Sequence, residues 1–364
     1  MALVDLTWNG LNEEAALVFM EMVMSKITCA SCGKRYRPTK QQCPVCKVSA
    51  RCKNPRFFMP GVITIFVLLV GLLCGMIFYF NGAEKPDGLT AQELHIPSLV
   101  ELVSMSPEDL DKMDVALINL VCAEGLHGSE KLDVRACLAQ IDEWALEIGR
   151  MLREREFMYD KVADKVDNSI NRWRCGAMGQ YMSQVLGLSY NQSRKNFVET
   201  DPFATDYFKH SRDFMIHGLV LDKNRGNCSS MPVLYAAIAR RLGFPVELVK
   251  TYNHLFARWD DQISGEVFNI EWTDVYVDFK SNEFYMNFRK KISTEMVKRR
   301  GYLRPLTHRE LVASFLHSRA MCLWHHGRLE EAHKAFIVSY NFCPINNNYI
   351  IEIERQIRHN RDVK

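Results

Sequence analysis

From Pro60 to Phe80 the chain reads PGVITIFVLLVGLLCGMIFYF, 21 residues without a charged side chain. No other feature constrains the fold as strongly. In a helix rising about 1.5 Å per residue, such a run spans the ~30 Å hydrocarbon core of a bilayer. A helix buried in a water-soluble core is seldom apolar on every face over this length. Phe57, Phe58, Phe78, Tyr79 and Phe80 stand at its two ends, where interfacial aromatics gather. The run is too long and too far into the chain for a cleaved leader. The sequence therefore predicts a single transmembrane helix over 60–80.

Charge orients it. Lys40, Lys47, Arg51, Lys53 and Arg56 lie within twenty residues upstream, and only Lys85 within twenty downstream. That bias predicts a cytoplasmic N-terminus and an extracytoplasmic C-terminal region, 81–364. Residues 1–59 carry nine Lys/Arg against four acids, whereas 81–364 carry 37 against 39. The net charge of +3 is far from that of a dedicated nucleic-acid binder, so no nucleic-acid partner is expected. With 48% hydrophobic and 24% charged residues in 364, disorder is excluded as the main character.

Ahead of the span, Cys29-Ala-Ser-Cys32 and Cys43-Pro-Val-Cys46 form two C-x-x-C pairs with ten residues between them. Each pair can bend as a knuckle that points two thiolates at one ion, and two knuckles complete a tetrahedral site. Gly33 and Pro44 suit such turns. The segment is too small to hold a hydrophobic core, so structural zinc is the expected cofactor. It resembles the short zinc ribbons at the N-termini of bacterial membrane proteins. Four thiolates close the site, which argues against catalysis there. Lys34, Arg35, Arg37 and Lys40 read as a solvated face and topology signal. The expected divisions are an extension at 1–23, a ribbon at 24–56, the span at 60–80 and a Gly/Pro/Asp linker at 81–94.

Beyond the linker the pattern is mainly helical. Residues 107–125 and 131–155 show apolar spacing of three and four, as in Leu132, Ala136, Leu138, Ile141, Ala145 and Ile148. Between 245 and 285 the runs PVELVKT, HLFARW and VFNIEW read as strands. Just before them, Met231, Leu234, Ile238 and Leu242 make a helical stripe that Gly243 and Pro245 end. Cys228 is expected in the first turn of that helix, where unpaired N–H groups and the dipole favour a thiolate and could steady an oxyanion. A buried, inert cysteine is the plain alternative.

Two later residues weigh against that alternative. Alternation puts His254, Phe256 and Arg258 on one strand face. In the next strand Phe268, Ile270 and Trp272 share a face, leaving Asn269 and Glu271 on the other. A histidine and an acid thus follow the cysteine on consecutive strands, the order of a thiolate, imidazole and orienting carboxylate.

GNCSSMPVLYAAIARRLGFPV followed by HLFARW and FNIEWTD resembles the transglutaminase-like superfamily, whose triad logic is that of papain-type proteases. More narrowly it is similar to the SirB1-like bacterial branch, on an upstream region resembling LINLVCAEGLHGSEKLDVRACLAQIDEWA, residues 117–145. The resemblance covers roughly 95–285 and is most specific over 225–272. It implies Cys228 as nucleophile, His254 as general base and Glu271 at the acidic position, where many members have Asp. Asp274 is the substitute acid, and Asn224 and Asn227 are the candidate side-chain oxyanion donors.

Residues 308–343 carry a further pattern. Ala320, Gly327, Ala332, Ser339 and Pro344 fall where a tetratricopeptide unit needs small residues, a turn and a helix stop. One unit cannot bury its face alone, so it should pack on the domain before it. His325-His326 reads as loop polarity, and Arg289 to Arg300 as a solvated basic face. The expected fold class is α+β: a transglutaminase-like (papain-like) domain over 95–300 with a helical N-terminal lobe, and a TPR-like helical hairpin over 306–356. The expected function is a membrane-anchored cysteine enzyme acting on peptide or amide bonds of a peptide or protein partner. The alternative is a silent binding module with the repeat as its platform.

Overall fold

The computed structural model describes residues 95–191, 206–223, 225–273, 276–344 and 348–362, together with two short strands near the N-terminus. The chain separates into two units, 1–88 and 89–364. In the first, β1 (Ile27–Thr28) pairs antiparallel with β2 (Arg35–Tyr36), Ile27 opposite Tyr36 and Thr28 opposite Arg35. The extension at 1–23, Cys29, Cys32, Cys43 and Cys46, the span at 60–80 and the linker at 81–94 lie outside the described residues. Among the described residues no helix is long and apolar enough to cross a membrane. Nor, among them, are three or more His, Cys, Asp or Glu placed to hold a metal.

The second unit opens with α1 (Leu99–Ser104) and the single turn α2 (Pro107–Leu110). Periodicity alone predicts one helix over 107–125, and the structure breaks it. Asp114 turns its Oδ1 onto the N–H groups of Ala116 and Leu117, at 2.6 and 3.1 Å, and so caps a new helix. That helix, α3 (Val115–Ala123), is buried over all nine residues. An apolar helix with no polar face must sit at the centre. Around it stand α4 (Val134–Arg155), α6 (Ile216–Asp222), α7 (Met231–Arg241) and α10 (His308–His325), with α5 (Ile170–Gln184) packed on α4.

A three-stranded antiparallel sheet follows α7, in the order β3 (Val246–Thr251), β4 (His254–Asp260) and β5 (Val267–Ile270). Arg258 faces Asn269 across β4 and β5, and Thr251 faces His254 at the β3–β4 turn. Asn253 takes a positive φ of 49° in that turn. The period of two divides the sheet's residues cleanly. Val246, Leu248, Ala257, Trp259, Phe268 and Ile270 join the main core with α7. Val249 and Phe256 face the other way, into a small second cluster with Tyr285 on α8 (Asn282–Asn287). His254, Arg258, Asn269 and Glu271 share this second face by the same alternation. α9 (Thr294–Arg300) then leads to the tail.

In the tail α10 pairs with α11 (Leu329–Phe342), and a third helix, α12 (Asn348–Asp362), runs past the expected end of the hairpin at 356. Gly327, at φ 70°, turns the chain between α10 and α11. Ser339 lies where the two helices cross, its hydroxyl donating to Ala313 O at 2.7 Å. The tail is not a separate body. Leu311, Val312, Phe315 and Ala320 belong to the same core as α3, and Arg319 donates to the carbonyl of Cys122 at 3.0 Å. Of the pair read as loop polarity, His325 ends α10 and His326 stands in the turn after it, its Nε2 2.6 Å from Lys209 O.

Candidate active site

The Cys228 turn is built from its neighbours inward. Gly226 pairs with the Ser189–Asn191 segment: its N–H donates to Ser189 O at 3.0 Å and its carbonyl accepts from Asn191 N at 2.7 Å. A Cβ here would stand 2.8 Å from Ser189 O and 2.6 Å from Met231 Cγ, so the close approach requires glycine. Asn227 follows, and it is spent on the turn. Its Oδ1 accepts from the N–H groups of Ser229 and Ser230 at 2.7 and 3.1 Å, and its Nδ2 donates to Asp213 O. Its own carbonyl accepts from Met231 N at 2.9 Å. Asn227 therefore caps this chain reversal, with its amide oxygen and one Nδ2 proton committed to the turn. Asn224 and Asp274 lie outside the described residues.

Cys228 thus precedes the helix instead of occupying its first turn: regular α7 starts at Met231, and residues 228–230 form the turn that feeds it. The cysteine is 4% exposed. His254, first residue of β4, is buried, and its Nε2 lies 2.7 Å from Glu271 Oε2. The ring is boxed in by aromatics, with Phe288 at 4.8 Å and Tyr285 at 6.0 Å between centroids. Glu271 sits one residue beyond β5, tied to Asp278 by a pair of backbone hydrogen bonds. Two hydroxyls hold its carboxylate: Thr273 donates to Oε1 at 2.8 Å and Tyr285 to Oε2 at 2.9 Å.

The electrostatics couple these three groups. Burial pushes the Cys228 thiol up, but the approach of His254, with Arg289 and the Tyr207 hydroxyl, brings it below the ordinary thiol value. Burial pushes His254 down, yet Cys228 and Glu271 together raise it to about 9. Burial likewise opposes ionisation of Glu271, and His254, Thr273 and Tyr285 outweigh it. Nδ1 of His254 has no hydrogen-bond partner of ordinary geometry among the described residues. Its link to Cys228 is thus looser than a formed hydrogen bond, as in many unliganded sites. The other described cysteines behave oppositely. Cys122, Cys175 and Cys322 are driven to about 12 and Cys137 to about 11 by burial. A thiolate and an imidazolium side by side, with a carboxylate behind the ring, can attack an acyl carbon and then protonate a leaving amine.

Four contributors escape sequence reasoning. Tyr207, Thr273 and Tyr285 touch Cys228 or Glu271 from distant or irregular segments. Arg289, read from sequence as part of a solvated run, lowers the thiol by its charge. Only the clustering of Tyr and Phe near 284–288 hinted at any of them.

No curated protein and no solved structure shows a significant match to the chain. The family model for the transglutaminase-like superfamily matches residues 135–317, from the second residue of α4 into α10. That range takes in just over half of the sequence and holds Cys228, His254 and Glu271. With a Cys-bearing turn ahead of α7 and His254 bonded to Glu271 on the sheet beside it, this chain belongs to the transglutaminase-like superfamily.

Proposed function

We propose that the protein is a cysteine enzyme that hydrolyses or transfers acyl groups at peptide or amide bonds, within the SirB1-like branch. Cys228 is the nucleophile, His254 the base and then acid, and Glu271 the orienting carboxylate. One observation carries this reading: the 2.7 Å contact of His254 Nε2 with Glu271, beside the only described cysteine whose thiol is brought down. In the reaction Sγ adds to the acyl carbon, and the imidazolium gives its proton to the departing amine. A water or acceptor amine, deprotonated by the imidazole, then cleaves the thioester, expels the thiolate and restores the thiolate–imidazolium pair. Incubation of the full chain with p-nitrophenyl acetate should release a burst of p-nitrophenolate equal to the chain concentration, absent in Cys228→Ala. A Cys228→Ala burst equal to that of the native chain would remove the reading. The near-complete burial of Cys228, 4% exposed, favours the second reading, a non-catalytic binding module that uses the tail as a TPR-like platform. That module would give no burst at all.

We further propose a membrane anchor at 60–80 and a structural zinc ribbon. The antiparallel β1–β2 pair supports the ribbon, because in sequence Cys29 directly follows β1 and Cys32 precedes β2 by three residues. The four thiolates would hold the ion and supply the stability that this small segment lacks. The full chain should carry one zinc, lost in Cys29→Ser, and fractionate with membranes. A reporter fused after Lys364 should be active only outside the cytoplasm. A zinc-free chain argues against the ribbon, and a reporter active only inside overturns the topology.

A further inference from the structure

Three backbone N–H groups line the Cys228 turn, and two of them are occupied. Those of Ser229 and Ser230 donate to Asn227 Oδ1. That of Cys228 has no acceptor among the described residues. A half-open donor beside a nucleophile is half of an oxyanion-binding pair.

A second donor stands beside the sulfur. Tyr207, in the short turn Asp206–Phe208, places its hydroxyl 3.9 Å from Cys228 Sγ and 2.9 Å from Ser229 Oγ. Its ring is braced edge-on against Phe208 at 4.8 Å, and Phe208 against Phe214 at 5.3 Å, so the phenol is held in place. Ser229 can donate its own proton to the phenol oxygen, which leaves the phenol proton pointing at the sulfur side. Burial and the neighbouring Cys228 charge raise Tyr207 well above the usual phenol range, so it remains a donor at any working pH.

We propose that the Tyr207 hydroxyl and the Cys228 backbone N–H form the oxyanion-binding pair of this site. The proposal rests on the acyl-transfer reading above and adds a catalytic residue to it. When Sγ adds to the acyl carbon, the C=O electron pair moves onto oxygen. That oxygen falls between sulfur and phenol, where donors at about 2.7–3.1 Å stabilise it. Tyr207 thus passes from the resting thiolate to the oxyanion. Collapse of the intermediate returns the electron pair to the carbonyl and expels the leaving group, and the phenol keeps its proton throughout.

Two reagents that attack the same sulfur separate this role from others. p-Nitrophenyl acetate acylates Cys228 through a tetrahedral oxyanion and releases p-nitrophenolate. Iodoacetamide alkylates it by displacing iodide at a saturated carbon, with no oxyanion. Their rate ratio cancels any change in thiolate population. In the full chain, Tyr207→Phe should lower the acylation-to-alkylation ratio by about 10²-fold, the usual loss for one oxyanion donor. Ser229→Ala keeps the phenol and loses only the hydroxyl that orients its proton, so it should lower the ratio by clearly less than Tyr207→Phe, within about tenfold. If Tyr207→Phe lowers the ratio less than about tenfold, well short of an oxyanion donor's effect, the inference is overturned. An equal loss in Ser229→Ala also overturns it, because the hydroxyl would then serve only as a tie to Ser229. Failure of the underlying reading looks different: the native chain itself would show no acylation of Cys228 faster than of its other thiols.

Discussion

Cys228 is expected to react with iodoacetamide at pH 6–7 about 10²-fold faster in the native chain than in His254→Ala. The thiolate is the reacting species, and His254 is what holds the thiol below its ordinary value against burial. Without the imidazole, burial is opposed only by Arg289 and the Tyr207 hydroxyl, and burial is the cause that drives Cys122 and Cys175 to about 12. Glu271→Gln should slow alkylation by roughly tenfold, equivalent to a shift of about one pKa unit. The pH dependence separates two steps. Alkylation needs only the thiolate and should persist above pH 9, whereas cleavage of an amide also needs the imidazolium and should fall as His254 titrates near 9. Stability follows by linkage. His254 is raised from 6.5, so its contribution is full below 6.5 and lost as pH rises through about 9. Glu271 is lowered from 4.5, so its contribution is full above 4.5 and lost as pH falls. In a Cys228→Ala background, where the coupled thiol is absent, the stabilisation that His254→Ala removes should thus be largest between pH 4.5 and 6.5 in thermal melts. Equal alkylation rates in the native chain and His254→Ala would falsify the pairing.

The pairing was legible because it is written in a period of two. In HLFARW and FNIEW the apolar residues Phe268, Ile270 and Trp272 settle which way each strand faces, and that puts His254 and Glu271 on the same side. The cysteine was legible from its place just ahead of the helical stripe of Met231, Leu234, Ile238 and Leu242. What stayed hidden depends on tertiary approach, which leaves no local pattern. Tyr285 reaches Glu271 only because α8 folds back over the sheet, stacking its ring on Phe256 at 3.7 Å. Tyr207 comes from a turn twenty-one residues before the cysteine. Asn227 looked free for catalysis, but the turn's own N–H groups hold its oxygen and Asp213 O takes a proton of its Nδ2. The helix break at 111–114 was missed for a related reason: periodicity continues through it, while the cap from Asp114 decides the boundary. In the tail, the small residues Ala320 and Ala332 marked the packed faces, both fully buried, but no repeat pattern announced the third helix.

Gly218→Ala is expected to destabilise the second unit by about 3 kcal/mol or more, as an overpacked position with no room to relax. Gly218 lies on α6, and a Cβ there would stand 1.8 Å from Arg212 O and 2.8 Å from Arg212 Cα. Those atoms are backbone, so no rotamer change relieves the clash. Arg212 cannot drift freely, because its Nε donates to Gly128 O at 2.8 Å and its neighbour Ser211 takes its N–H to His127 O at 2.9 Å. The penalty far exceeds the ~1 kcal/mol that alanine gains over glycine within a helix. For a unit of this size it corresponds to a fall of roughly 6–12 °C in Tm. Gly176→Ala on α5 is the matched control: nothing lies within 4 Å of its Cβ position, and it should be neutral or stabilising. The damage should also reach the site. Asp213, next in the chain, gives its carbonyl to Asn227 Nδ2, and Asn227 shapes the turn that presents Cys228. Displacing Arg212 therefore shifts the acceptor on which that turn hangs. Gly218→Ala should lose preferential alkylation of Cys228 at temperatures below its own melting transition, while Gly176→Ala retains it. If Gly218→Ala melts with the native chain and labels as fast, the packing of α6 on the 211–213 turn does not position the nucleophile.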